Sequence, residues 1–392
     1  MVKYQEALNI IDAYNFNKKI ISINTMDSLD YVLAQDIKSL VDVPNTNKSA
    51  MDGYAILDYK EGSSLEIINT IYAGEFKDIT LKETQCVKIM TGAPLPSNAK
   101  KVIVKELALE ENGYVSFNIP STKLNDNICF VGEDIKKDQV LFSKDTLINA
   151  TTISSLISGG IFNIEVYAKP NILLLTTGDE VITKDTTLDK GQVYNSNYAY
   201  LYSRLKELCF KCSHHHLDDD ENLESYINKE YDFVITTGAI SVGDKDFIRH
   251  YVQDTKKDIL FDRVNIMPGG PCMLWLFDNV PVMSLAGSPY ANFVTFELFA
   301  RRILAHLSNN KNLLTKEKTL RLKCEYKKDI KKLRFVKSKF KGHYVDIPAN
   351  NHLASSMHEM NMCNSFIVLE PGKRDLKEND LVKVIDLRRI YE

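Results

Sequence analysis

The chain has 392 residues, 44% of them apolar, and a formal net charge of −3. That length exceeds one ordinary core and implies two to four domains, and the near-neutral charge excludes a global pull toward nucleic acid or an acidic membrane. Met1 to Ile20 has no signal-peptide core, the apolar runs fall far short of a membrane span, and seven scattered cysteines suit reduced thiols and a cytoplasmic location.

Residues 4–14 read as a short amphipathic helix, with Ala7, Leu8 and Ile11 on its apolar face. From Asn45 to about Asp134, short apolar runs broken by Gly, Pro and Asn predict a β-rich domain. Its candidate strands are Tyr54–Ile56, Val87–Ile89, Val102–Val104 and Tyr114–Phe117. A helix is expected over Thr151–Ser158, with Thr151 or Thr152 as N-cap and Gly159-Gly160 as the stop. The rhythm then changes. Three apolar runs, Ile172–Leu175, Phe233–Ile235 and Val280–Met283, are each followed by a glycine loop, and helices are expected over Asn197–Leu208 and from Pro289 to about Leu307. Strand, loop and helix in repetition predict an α/β domain with a mostly parallel sheet, which binds ligands beyond the carboxyl ends of its strands. Beyond Lys311, strands over Thr319–Tyr326, Leu333–Val336, Tyr344–Ile347, Ser365–Leu369 and Leu381–Ile385 predict a small all-β C-terminal domain.

Four glycine-punctuated loops carry the chemistry: Ser49–Ala55 around Asp52, Met90–Pro94 around Thr91-Gly92, Thr176–Glu180, and Thr237–Asp246. Glycine lets backbone approach a ligand closely, exposed amides and hydroxyls hold phosphate oxygens, and neighbouring carboxylates suit a hard cation such as Mg²⁺. Thr177, Gly178, Gly238, Ser241 and Gly243 are the anion-binding candidates, and Glu180 and Asp246 the metal-phosphate carboxylates. Asp134 fits either a functional carboxylate or a turn cap; Ser288, before Pro289, fits either an anion contact or a plain N-cap. Cys209 and Cys212 are followed at once by His214, His215 and His216, without the spacing of about a dozen residues that a zinc site of this type needs. Residues 313–345 hold twelve Lys and Arg against three acids, a pattern expected of a solvated strand face and not of a nucleic-acid patch. Trp275 is expected in a core or an interface.

These segments, in this order, resemble the molybdopterin molybdenumtransferases, the family that includes the E-domain of gephyrin. The resemblance runs over essentially the whole chain. It is carried by Asn47–Ala55, Ile89–Pro94, Gly132–Ile135, Thr177–Glu180, Gly191–Asn197, Ser241–Asp246 and Leu353–Met357. It implies a multidomain α/β fold: a linking domain of 23–44 plus 135–168, a β-rich domain of 45–134, an α/β molybdopterin-binding-type domain of 1–22 plus 169–312, and a C-terminal β-barrel of 313–392. It also implies a cytoplasmic homodimeric transferase of molybdenum cofactor biosynthesis, with no appended partner domain. Such an enzyme inserts molybdate into adenylylated molybdopterin with Mg²⁺ and releases AMP, alongside other cofactor-pathway proteins. By the resemblance Asp52, Asp134, Glu180 and Asp246 are catalytic. Thr91, Gly92, Arg263, Ser288, Ser355 and Ser356 join the substrate contacts, and Asp218 joins the metal ligands or caps the following segment. By family position the three histidines lie on a strand, where His214 and His216 share a face and His215 does not.

The chain departs from the family at a Lys-Pro-Gly-Lys-Pro segment, which here reads Met267-Pro268-Gly269-Gly270-Pro271, so both lysines are absent. Each lost cation in a desolvated oxyanion pocket weakens binding by about 1.5–3 kcal/mol, and the Arg263 fork can offset part of that. The departure keeps two further readings open: a divergent paralogue for another oxyanion such as tungstate, and a non-catalytic cofactor-binding scaffold.

Overall fold

The structure, a computed structural model, describes residues 1–117, 126–218, 221, 223–228, 230–240, 247–348 and 358–388. It divides into two compact units, one of Ser22–Leu29 with Leu33–Val166, the other of Met1–Ile21, Asp30–Val32 and Tyr167–Glu392.

The first unit is built on a six-stranded sheet: β1 Gly53–Ile56, β2 Ser64–Ile71, β3 Gln85–Ile89, β4 Lys101–Val104, β5 Ala108–Glu111 and β6 Tyr114–Phe117, in the order β4-β1-β3-β2-β6-β5. Alternate residues of β1 enter two different cores. Tyr54 and Ile56 pack with Ile103, Val115 and Phe117, and Ala55 packs with Ile71, Val87 and Val102. Burial on both faces is why this strand reads as a continuous apolar run. At Gly53 a Cβ would lie 2.0 Å from the Ile103 carbonyl oxygen, so only glycine admits β4 this close. The helix Ala150–Ser158 stops at Gly159-Gly160 as expected, but its N-cap is Asn149, whose Oδ1 accepts the Thr152 N–H at 2.9 Å. The cap therefore falls two residues before the first of the expected threonines, because Asn is at least as good a cap as Thr.

The second unit opens with the helix Tyr4–Ala13, which buries Ala7, Leu8 and Ile11. Its central sheet contains β7 Ile172–Thr177, β8 Cys212–Leu217, β9 Phe233–Thr237, β10 Ile259–Asp262, β11 Met273–Phe277 and β12 Val280–Leu285, in the order β8-β7-β9-β12-β11-β10. The first four strands are mutually parallel and the last two pair antiparallel. The reversal has a local cause: β11 and β12 are joined only by Asp278-Asn279, both at positive φ (47° and 71°), the geometry of a tight hairpin turn. Ile172 and Leu174 face one core while Leu173 and Leu175 face the other, so both sheet faces are covered. Trp275 is buried there, its indole N–H donating to Ser284 Oγ at 3.1 Å. The helix after β12 runs Pro289–Thr295, passes through one π turn at Phe296–Ala300, and continues over Arg301–Leu307.

The C-terminal strands β13 Lys316–Leu322, β14 Tyr326–Ile330, β15 Leu333–Lys341, β16 Tyr344–Asp346, β17 Ser365–Leu369, β18 Gly372–Leu376 and β19 Leu381–Asp386 form a closed five-stranded barrel and a ribbon. The barrel runs β15-β16-β13-β19-β17 and closes on β15; β14 and β18 pair separately. The single strand expected over Thr319–Tyr326 is thus two. Leu320, Leu322, Cys324 and Tyr326 keep a period of two across the break and all join one core, so periodicity cannot reveal the turn. One lysine leaves the expected solvated face. Lys337 is fully buried with its ammonium 4.4 Å over the Tyr290 ring, and burial pushes its pKa down. Among the described residues no helix is long and apolar enough to cross a membrane.

A buried charge cluster ties the sheet's helices to the barrel. Glu297 accepts from Arg204 Nε at 2.6 Å, Arg301 Nη1 at 2.9 Å and Tyr200 Oη at 2.9 Å, and both arginines also donate to the Leu387 carbonyl. Burial raises the Glu297 pKa, but the two guanidiniums outweigh it and hold the carboxyl below its ordinary value. A depressed pKa gives stability that is present at neutral pH and lost as pH falls through the carboxyl's folded value. Glu297→Ala strands two buried guanidiniums and is expected to cost about 3–5 kcal/mol in urea unfolding at pH 7; a loss below about 1 kcal/mol would contradict this role.

Candidate active site

Three parallel strands end level with one another. Thr176 of β7 pairs with Thr237 of β9, and Thr237 with Leu285 of β12. Each strand then turns through glycine: Gly178 at φ 118°, Gly238 at φ 94°, and Gly287. The glycines leave room that side chains would fill. A Cβ on Gly238 would sit 2.6 Å from Thr177 Oγ1, one on Gly178 would sit 3.0 Å from both Glu180 carboxylate oxygens, and one on Gly287 would sit 3.5 Å from Gly238 Cα. The result is a cavity of about 280 Å³ at the carboxyl end of the sheet, in a position where such sheets bind ligands.

Its wall holds Thr177, Gly178, Glu180 and Gly238 from the sequence-predicted set, together with Thr176, Asn195, Asn197, Thr237 and Gly287. The loops are pinned by side-chain bonds. Thr177 Oγ1 donates to the Thr237 carbonyl at 3.1 Å, and Asn197 Nδ2 donates to the Gly287 carbonyl at 2.7 Å and to Thr237 Oγ1 at 3.2 Å. Asn195 caps the helix Ser196–Glu207 through its Oδ1 and donates from Nδ2 to Thr176 Oγ1 at 3.0 Å. Thr176 Oγ1 also meets His214 Nε2 and His216 Nδ1, each at 3.0 Å. These two histidines do share a face of β8, while His215 turns the other way toward Tyr226. Burial, followed by the neighbouring histidines, lowers the His214 pKa to about 4, so this ring is neutral at pH 7. Among the described residues, Glu180 is the only charged one in the cavity wall.

The first unit presents its own polar cluster at the ends of β1, β3 and β4. Gly53 pairs with Ile89 and Val104, so Asp52 lies beside the chain leaving β3 and β4. Asp52 Oδ1 accepts the Thr91 N–H at 2.9 Å and the Thr91 hydroxyl at 2.8 Å, and Oδ2 takes Lys105 Nζ at 3.1 Å. Gly92, at φ 79°, makes the turn that aims Thr91. The Thr91 N–H, its hydroxyl and then Lys105 hold the Asp52 carboxyl down at about 2. Lys105 had no motif around it in the sequence; only strand pairing brings it to Asp52.

The other predicted residues stand apart from these two clusters. Asp134 is exposed and donates its N–H to the Val43 carbonyl at 3.1 Å. Asp218 is exposed just after β8, and its N–H donates to Glu221 Oε2 at 3.0 Å. Arg263 follows β10 on left-handed backbone at φ 58°, half-buried. Ser288 is the exposed N-cap residue of the helix Pro289–Thr295, but its side chain makes no capping bond. Ser241, Gly243, Asp246, Ser355 and Ser356 lie outside the described residues. A larger cavity of about 860 Å³ opens beside Arg204, Cys363 and Arg388 and contains none of the predicted residues. Its arginines are already paired, Arg204 with Glu297 and Arg388 with Asp386.

The stabilisation that Asp52 draws from its partners is fully present above its ordinary pKa of 3.8 and is lost as pH falls through about 2. Thr91→Val and Lys105→Met should each move the Asp52 pKa upward from about 2, measured by carbon-detected NMR titration; an unmoved pKa in both would contradict the clamp.

Two family models match the chain: the MoeA N-terminal region (domain I and II) over residues 2–160, and a probable molybdopterin binding domain over residues 173–306. A molybdopterin molybdenumtransferase of Staphylococcus epidermidis is 29% identical over 400 residues, covering 98% of this chain and 95% of that protein. One of Staphylococcus aureus is 27% identical with the same coverage. Among solved structures, a molybdopterin biosynthesis moea protein from Pyrococcus horikosii superposes with a TM-score of 0.83 at 23% identity over 99% of both chains, which shows the shared fold. With both of its principal regions matched and relatives aligned nearly end to end, the chain belongs to the molybdopterin molybdenumtransferase family.

Proposed function

We propose that this protein acts in molybdenum cofactor biosynthesis as a molybdopterin molybdenumtransferase, inserting molybdate into adenylylated molybdopterin with Mg²⁺ and releasing AMP. One observation carries the reading: three level Thr-Gly and Ala-Gly strand ends enclose a cavity whose only charged wall residue, among the described residues, is the Glu180 carboxylate. Hydroxyls and loop amides suit phosphate oxygens. A carboxylate beside a phosphate is repulsive unless a cation stands between them.

The donor set fits Mg²⁺ that arrives with its ligand. Among the described residues no three His, Cys, Asp or Glu side chains converge as a resident metal site. Mg²⁺ is ordinarily held by one or two carboxylates plus waters and substrate phosphates. Glu180 would hold it, with Asp246 and Asp218 as the further candidates. When bound, the ion would neutralise phosphate charge as AMP leaves. Glu180 orients that charge, Thr177 and Asn197 fix the loops around it, and Asp52 with Thr91 and Lys105 supplies a polar cluster in the first unit. Asp134, Arg263, Ser288, Ser355 and Ser356 remain candidate contacts. The same reading carries a cytoplasmic homodimer and the four-domain division given above.

Met267 favours a second reading. It is exposed and uncharged, and Arg334 Nη1 donates to its sulfur at 3.5 Å. A site with fewer cations than its relatives suits a changed oxyanion such as tungstate, or a scaffold that holds the cofactor without turnover. Glu180→Gln is expected to lower the apparent Mg²⁺ affinity in AMP release by at least about tenfold. The check is a Mg²⁺ titration with adenylylated molybdopterin and molybdate; an unchanged Mg²⁺ profile would remove Glu180 from the site.

A further inference from the structure

The three hydroxyls in the cavity wall among the described residues are not equivalent. A threonine hydroxyl offers one proton and two lone pairs. Thr177 gives its proton to the Thr237 carbonyl. Thr176 accepts from Asn195, and its remaining lone pair and proton are divided between His214 and His216. Thr237 differs from both. Its oxygen receives two amide donors, Asn197 Nδ2 at 3.2 Å and Asn292 Nδ2 at 2.8 Å, so both lone pairs are filled. Its proton has no acceptor among the described residues.

The orientation of both amides is fixed independently of Thr237. Asn197 Nδ2 also faces the Gly287 carbonyl at 2.7 Å, and Asn292 Nδ2 also faces the Ala286 carbonyl at 3.3 Å. A carbonyl only accepts, so each side chain must present its NH₂ there and not its oxygen. Asn292 does this at a cost. It is fully buried, and its Oδ1 has no hydrogen-bond partner among the described residues. A buried, unpaired carbonyl is unfavourable, and an apolar residue would avoid it, so packing alone does not account for an asparagine at this position.

We propose that Asn197 and Asn292 are positioning residues that set the rotor of the Thr237 hydroxyl, leaving its proton pointed into the cavity as a donor for a phosphoryl oxygen of the ligand. This rests on the proposed phosphate-bearing substrate. It assigns ligand recognition to Thr237, and a role without ligand contact to Asn292. The Glu180 carboxylate lies folded against Gly178 and makes no hydrogen bond to Thr237 among the described residues.

The test is calorimetric titration of the full chain in Mg²⁺-containing buffer with two probes, inorganic pyrophosphate and adenylylated molybdopterin, with thermal melting to verify folding. Thr237→Val should weaken both by about tenfold to a hundredfold, and Thr237→Ser should stay within about threefold of the parent. Asn292→Ala should weaken binding alone but add nothing on top of Thr237→Val, because its effect runs through that hydroxyl. Asn197→Ala gives the same comparison if Asn292→Ala does not fold. Parental binding by Thr237→Val, additive losses in the double variant, or no pyrophosphate binding by the parent protein would overturn the inference. Binding of pyrophosphate with the expected pattern, but none of the adenylylated pterin, would leave the inference standing and remove the substrate reading.

Discussion

The level ending of β7, β9 and β12 is the constraint on which the candidate site depends. Parallel pairing puts Thr176, Thr237 and Leu285 in one row across three strands. From that row, each chain must turn at once without a side chain in the way, and Gly178, Gly238 and Gly287 supply the turns. The threonines before the glycines then have fixed partners. Shifting one strand by a residue would reverse the direction of its side chains. It would remove the Thr177 to Thr237 bond and the Asn197 bridge together, so the strand register and the cavity are a single structural fact.

Electrostatics explains why the cavity reads as a phosphate site only together with a cation. Among the described residues, neutral hydroxyls and amides face a single carboxylate, and that carboxylate alone would repel an anion. The Asp52 cluster in the first unit has a different balance. There the carboxylate already has a lysine and a threonine as partners, and its side chain is 37% exposed, so the ion pair itself adds little stability. What the pairing does is hold Asp52 ionised and pointed in one direction.

The fold was legible in the sequence where burial leaves a simple signature. Ile172–Leu175 and Phe233–Ile235 lie in strands covered on both faces, and the helix Tyr4–Ala13 shows its apolar side plainly. It was illegible where the signature is shared. The period of two runs unbroken through the turn between β13 and β14, and an apolar run does not say whether its neighbour is parallel, which is how the β11–β12 hairpin reversed part of the sheet. The site divides the same way. Thr177, Gly178 and Glu180 sit in one recognisable loop and Gly238 in another, whereas Asn195 and Asn197 lie in Gly191–Asn197, a segment whose sequence assigns them no role. Asn292 and Lys105 gave no signal at all, because their importance comes from contacts across 55 and 53 residues of chain.

The most direct test of the account follows AMP release by the purified wild-type protein from adenylylated molybdopterin and Mg²⁺, with and without molybdate. AMP release that depends on the oxyanion, accompanied by metal in the pterin product, is expected. Tight binding of the adenylylated pterin without AMP release, under both molybdate and tungstate, would contradict it and leave a cofactor-holding scaffold.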